Sequence, residues 1–131
     1  MDKGTKVIAA GAVEVAMSYR GDIPGDGGLC VQIYADVDGR DTELLRFDCF
    51  AEAPHYHYGP ELGNERLMLD ATAAGDPLEW LLERFARGRL RPMIERAGYP
   101  NVAASLDEDA FQAALPSVGD EARAIVAQHG S

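Results

Sequence analysis

The sequence predicts an α+β fold: an antiparallel meander of four or five strands over residues 7–70, then three or four helices packed on one face. Two observations carry this. Alternation of period two marks the first half, where Val13, Val15, Met17 and Tyr19 oppose Ala12, Glu14, Ala16 and Ser18. Helical spacing marks the second half, where Leu78, Leu81, Leu82 and Phe85 form one apolar stripe. Strands first and helices second is the α+β order. With 131 residues and no repeat, low-complexity tract or linker, a single domain is expected.

The first clear strand covers residues 12–19. Gly21–Gly28 then reads as a connection between strands. It lacks the spacing and the lysine of a phosphate loop, and its aspartates Asp22 and Asp26 would suit a weakly held cation better than an anion. The next strand puts Leu29, Val31, Ile33, Ala35 and Val37 on one face. A third, Thr42–Phe50, puts Leu45, Phe47 and Cys49 there. Matching the two apolar faces requires Val31 opposite Phe47, Ile33 opposite Leu45 and Leu29 opposite Cys49. That register implies a three-residue turn over 38–40, since a two-residue turn would set Val31 against Arg46. Residues 55–58 form a short extended segment turned by Gly59-Pro60, and residues 64–70 the last strand.

Asp76-Pro77-Leu78-Glu79 opens a helix with an acidic cap and proline at the first helical position. Gly88 and Pro92 predict a break near 88–91, then a short helix over 91–97 closed by Gly98 and Pro100. Ser105-Leu106-Asp107-Glu108 reads as a capping box for a helix that Pro116 ends. A last helix covers 118–128, with Asp120 and Glu121 near its positive end and His129 at its negative end.

Charge and composition exclude several classes. A net charge of −10 argues against a general nucleic-acid or anionic-membrane binder. No apolar run approaches the roughly 20 residues that span a bilayer. The N-terminal stretch is a poor signal peptide, so the expected location is cytoplasmic. Cys30 and Cys49 make no disulfide framework and no C-x-x-C pair. A nucleophile elbow, a dinucleotide glycine pattern and a His-Glu-x-x-His run are all missing.

Side-chain chemistry is densest over residues 45–61, where Asp48, Cys49, His55, His57 and Glu61 accompany Phe47, Phe50, Tyr56 and Tyr58. In an extended segment His55 and His57 project from one face, about 6–7 Å apart along the chain and within reach of one divalent transition metal ion. Glu61 lies beyond a Gly-Pro turn that can swing it back, giving a ligand set of His55, His57 and Glu61. Asp48 or Cys49, which face opposite sides, could instead complete the metal set with an oxygen or a sulfur ligand, and Asp48 with His55 and His57 offers a metal-free acid–base group. The alternative is that these side chains pack and hydrogen-bond at a sheet edge.

The pattern His55-x-His57-x-x-x-Glu61 resembles part of the first metal motif of the cupin family, which implies a transition metal held by the two histidines and the glutamate. It spans seven residues and is read for its ligands, not for the cupin barrel. Arg46-Phe47-Asp48 followed by Pro54-His55 and His57 resembles small bacterial toxins of the TumE-like type. That likeness implies a partner encoded beside the chain and action on RNA or nucleotides. The longer stretch through Gly59-Pro60-Glu61 looks most like small uncharacterised bacterial proteins.

Further binding candidates are Arg46, Tyr56 and Tyr58 around this stretch, and Arg84, Arg87 and Arg91, which fall near one helix face with Trp80. Paired guanidinium groups hold oxyanions or an acidic partner. The plainer reading is a solvated face with the pairs Glu79–Arg84 and Glu83–Arg87. The expected function is a binding or interaction module, joined as a homodimer or to a partner protein through the sheet face carrying Gln32, Tyr34, Arg46 and Asp48. The other reading is a small metal-dependent or acid–base enzyme built on His55, His57 and Asp48. Convergence of those three side chains separates the two.

Overall fold

The computed structural model describes residues 5–129 and has an α+β fold. Six strands form one antiparallel sheet in chain order: β1 (Lys6–Ala10), β2 (Val13–Arg20), β3 (Gly28–Val37), β4 (Arg40–Phe50), β5 (His55–Tyr58) and β6 (Glu65–Met68). Five helices follow: α1 (Ala71–Ala74), α2 (Pro77–Ala86), α3 (Leu90–Arg96), α4 (Pro100–Ser105) and α5 (Glu108–His129). Each half therefore holds one element more than the sequence led us to expect.

The added strand is β1. It joins β2 through a two-residue turn at Gly11 and Ala12, both with positive φ (64° and 81°), and Ala10 pairs with Val13. A side chain at Gly11 has no room, because its Cβ would stand 2.4 Å from the Asp107 carbonyl oxygen. That approach lets the Asp107 amide donate to the Gly11 carbonyl at 3.1 Å and ties the hairpin to the start of α5.

The β3–β4 register pairs Val31 with Phe47, Ile33 with Leu45 and Leu29 with Cys49, as apolar matching requires. The turn itself differs from expectation. Val37 pairs with Arg40 across a two-residue turn at Asp38 and Gly39, which have φ of 53° and 82°. The extra residue sits further along, where a bulge sets Tyr34 against Glu43 and Ile33 against Leu45, so Leu44 has no opposite number. Leu44 and Leu45 are both fully buried in the core.

Helices cover the face bearing Met17, Val31, Ile33, Leu45 and Phe47, with α5 against β1–β3, α2 against β4 and α3 against β5. Phe85 of α2 joins the layers, meeting Phe47 of β4 and Phe111 of α5 edge-on at 5.5 Å each. Asp76 caps α2 through the Leu78 amide, with Pro77 at the first helical position, as its sequence indicates. Pro92 is accommodated in the first turn of α3, where amides have no intrahelical acceptor.

The C-terminal half departs from expectation at Pro116. Instead of two helices there is one of 22 residues, α5, with Pro116 inside it. The apolar stripe Phe111, Val118, Ala122 and Ile125 continues in phase across the proline, and burying it against the sheet outweighs one lost backbone hydrogen bond. Ser105 does not cap this helix; its hydroxyl donates to the Val102 carbonyl within α4, while Asp107 accepts from the Ala110 amide. Nor does the last strand reach residue 70, since Asp70 caps α1 by accepting from the amides of Thr72 and Ala73.

Candidate metal centre

The site lies on the sheet face opposite the helices and follows from strand alternation. On β4 the side chains of Arg46 and Asp48 face outward while those of Phe47 and Cys49 join or pack against the core. On β5 the outward pair is His55 and His57, whereas Tyr56 packs against Phe47 and Trp80 and Tyr58 is buried. Register sets Asp48 opposite His55 and Arg46 opposite His57. The carboxylate thus stands directly across from one imidazole and diagonal to the other.

The three side chains converge. His55 Nε2 lies 2.9 Å and His57 Nε2 3.4 Å from the same oxygen, Asp48 Oδ2. One ligand atom from each residue lies within 4.8 Å of the other two. Asp48 is only 4% exposed; its second oxygen, Oδ1, receives no N–H or O–H donor, and the Cys30 thiol across β3–β4 offers the carboxylate only a weak one. A buried carboxylate oxygen without a donor is costly.

The second ring nitrogens fix the orientation of the histidines. His55 Nδ1 is 2.9 Å from the Ala53 carbonyl oxygen and His57 Nδ1 is 3.0 Å from Asn64 Oδ1. A carbonyl only accepts, so His55 carries a proton on Nδ1, and its Nε2 then points a lone pair at the Asp48 carboxylate. That arrangement requires a second proton on the ring, a proton on the acid, or a cation between them. Outer partners of this kind commonly fix metal-bound histidines. The rings of His55 and His57 meet at 5.0 Å, and Phe50 stands edge-on to His55 at 5.7 Å.

Asp26 holds the approach to β5. Its carboxylate accepts from the backbone amides of Gly27 (2.8 Å), Glu52 (2.9 Å) and Ala53 (3.0 Å), binding the β2–β3 loop to the turn before His55. These bonds, the Glu52 amide first, hold the acid below its usual range. The sequence marked Asp26 only as part of a Gly/Asp loop; the signal available was an acid directly before the paired glycines Gly27-Gly28.

Neither cysteine is an activated thiolate. Cys30 lies across β3–β4 from Asp48, and burial, followed by the Asp48 charge, pushes its thiol strongly up. Cys49, on the opposite face, is pushed up to about 12, mainly by burial.

Other residues singled out from the sequence lie elsewhere. Glu61 does not join the histidines. It accepts from the Glu43 amide at 2.7 Å and pairs with Arg40 at 2.9 Å, because the Gly59–Pro60 turn carries it to the β4 bulge. Asp48 occupies the position expected of it. Arg46 makes a two-pronged bond to Glu43, which also accepts from Gln32. The arginines of the second half form no shared stripe: Arg84 lies over Trp80 and pairs with Glu83, which also holds Arg87. Arg91 turns inward to the carbonyl oxygens of Ala103 and Leu106. Glu79 pairs with Arg123 rather than Arg84.

A family model described as a domain of unknown function, DUF7700, matches residues 7–122. The chain belongs to the DUF7700 family. No curated protein and no solved structure matches it. In this DUF7700 chain the matched region runs from β1 into α5 and contains Asp48, His55 and His57. Among the described residues of the DUF7700 chain, no helix is long and apolar enough to cross a membrane.

Proposed function

We propose that this DUF7700 chain binds a divalent transition metal ion through Asp48, His55 and His57. The observation that carries the reading is His55, held by an acceptor at Nδ1 while its Nε2 faces a buried carboxylate with an orphaned oxygen. The two spacings to Asp48 support it, while the three ligand atoms, spread over up to 4.8 Å, would draw together on the ion. Ligand atoms about 2.0–2.1 Å from an ion stand about 2.9 Å apart at a right angle and about 3.3 Å apart at the tetrahedral angle. The contacts to Asp48 Oδ2 are 2.9 and 3.4 Å. Two imidazoles and a carboxylate suit zinc, iron(II) or related ions rather than calcium or magnesium. Three protein ligands leave positions for water or a substrate, the arrangement of catalytic rather than structural sites. A small metal-dependent enzyme is therefore the activity class this reading favours.

The short Asp48–His55 contact also supports metal-free acid–base chemistry, in which the carboxylate holds the imidazole. A homodimer or protein partner has less support: the exposed large apolar residues Val7, Leu62, Met68 and Val126 lie on β1, the β5–β6 loop, β6 and α5. Metal analysis of the untagged protein decides between these readings. The wild type and Glu61→Gln are expected to carry close to one equivalent of zinc, iron or manganese; Asp48→Asn and His55→Ala/His57→Ala are expected to be empty yet folded. An empty wild type whose melting temperature does not respond to added zinc, iron(II) or manganese would overturn the proposal.

A further inference from the structure

Resting on that metal site, we infer that its external ligand is a small organic oxyanion, with one oxygen on the metal and another on the Arg66 guanidinium. Arg66 pairs with His57 across β5–β6 and therefore stands beside the site on the same sheet face. Neighbouring cations on this face are already committed, Arg46 to Glu43 and Arg20 to Asp22, while Arg96 pairs with Glu65 on the helix side. Arg66 is exposed and has no hydrogen-bond or ion-pair partner among the described residues. On the next outward position of β6, Met68 pairs with His55 and is 55% exposed. The two side chains flank the histidines on the open edge of the sheet, one cationic and one apolar.

Charge points the same way. A divalent ion with one carboxylate and two neutral imidazoles keeps one positive charge, and Arg66 adds a second. Such a spot in a chain of net charge −10 selects a small anion. A polyanion would meet the surrounding negative field; a small one collects its charge at the metal. The guanidinium fork matches the paired oxygens of a carboxylate or phosphate. Met68 gives a carbon skeleton an apolar neighbour. Carboxylate and phosphate share this chemistry, and the experiment separates them.

The test uses the full chain loaded with cobalt(II), as wild type, Arg66→Gln and Arg66→Lys, titrated with lactate and with inorganic phosphate. The visible cobalt bands report the metal environment. All three proteins should bind one cobalt equally, because Arg66 is not a ligand. Lactate, phosphate or both should shift the wild-type bands, and whichever does should bind about tenfold or more weakly to Arg66→Gln, with Arg66→Lys between. A shift with lactate alone assigns a carboxylate; one with phosphate alone assigns a phosphate-bearing ligand. Cobalt-loaded wild type that responds to neither anion, or Arg66→Gln that binds them as the wild type does, overturns the inference and leaves the metal site standing. Failure of the wild type to take up cobalt overturns both.

Discussion

Asp26 governs His55 without touching it. Its carboxylate fixes the Ala53 backbone, and the Ala53 carbonyl fixes the imidazole. Asp26→Asn keeps the shape but leaves at least one amide with a poorer acceptor, so a loss of about 1 kcal/mol is expected, comparable to losing a helix cap. The pH dependence has a definite sign. Because folding lowers the Asp26 pKa, its contribution is present above the unfolded value near 4 and is lost as pH falls through the lower folded value. Urea midpoints should therefore differ between wild type and Asp26→Asn at pH 7, and the gap should close toward pH 2. At this scale the pair His55 and His57 was legible, because alternation alone puts both on one face. The β3–β4 register made the outward face of Asp48 legible, but not its place opposite His55, which the β4–β5 pairing sets. Glu61 was not, because the sequence does not reveal that the Glu43 amide and the Leu44 carbonyl, at the bulge, both meet the β5–β6 loop at Glu61 and Gly59.

The β3–β4 hairpin shows how a register can be legible while its turn is not. Apolar matching counts the residues between Ile33 and Leu45 but does not say where the extra one sits. A third residue in the turn and a bulge at Leu44 give the same pairs from Ile33 back to Leu29. Asp-Gly is a strong two-residue turn, and Leu44 adds a buried side chain where it bulges. The helix through Pro116 is a similar case. Local propensity predicts a stop, while the stripe from Phe111 to Ile125 requires continuation. Pro116→Ala restores a backbone donor and removes the ring, so it should stabilise the protein by about 1–3 kcal/mol and raise its melting temperature by several degrees in a calorimetric scan. An unchanged or lower midpoint would mean that α5 is shaped around the proline.

For the whole molecule, the order of strands then helices was plain from the change in period, and so was the side on which the core lies. The sheet's first strand was hidden because alanines at 9, 10 and 12 blur its alternation and its turn uses Ala12 at positive φ. What holds the layers together is concentrated at Phe85, fully buried between Phe47 and Phe111. Phe85→Ala should cost about 3–5 kcal/mol in urea unfolding, far more than truncating the half-exposed Ile8 of β1. The strand β5 has a wider bearing. Its four residues spell two messages on alternate letters: His55 and His57 address Asp48, while Tyr56 and Tyr58 address the aromatic interior. One residue inserted or deleted within the strand would send a tyrosine onto the buried carboxylate and a histidine toward Trp80. Over generations such a strand can exchange letters one at a time, but its length cannot change without both messages failing together.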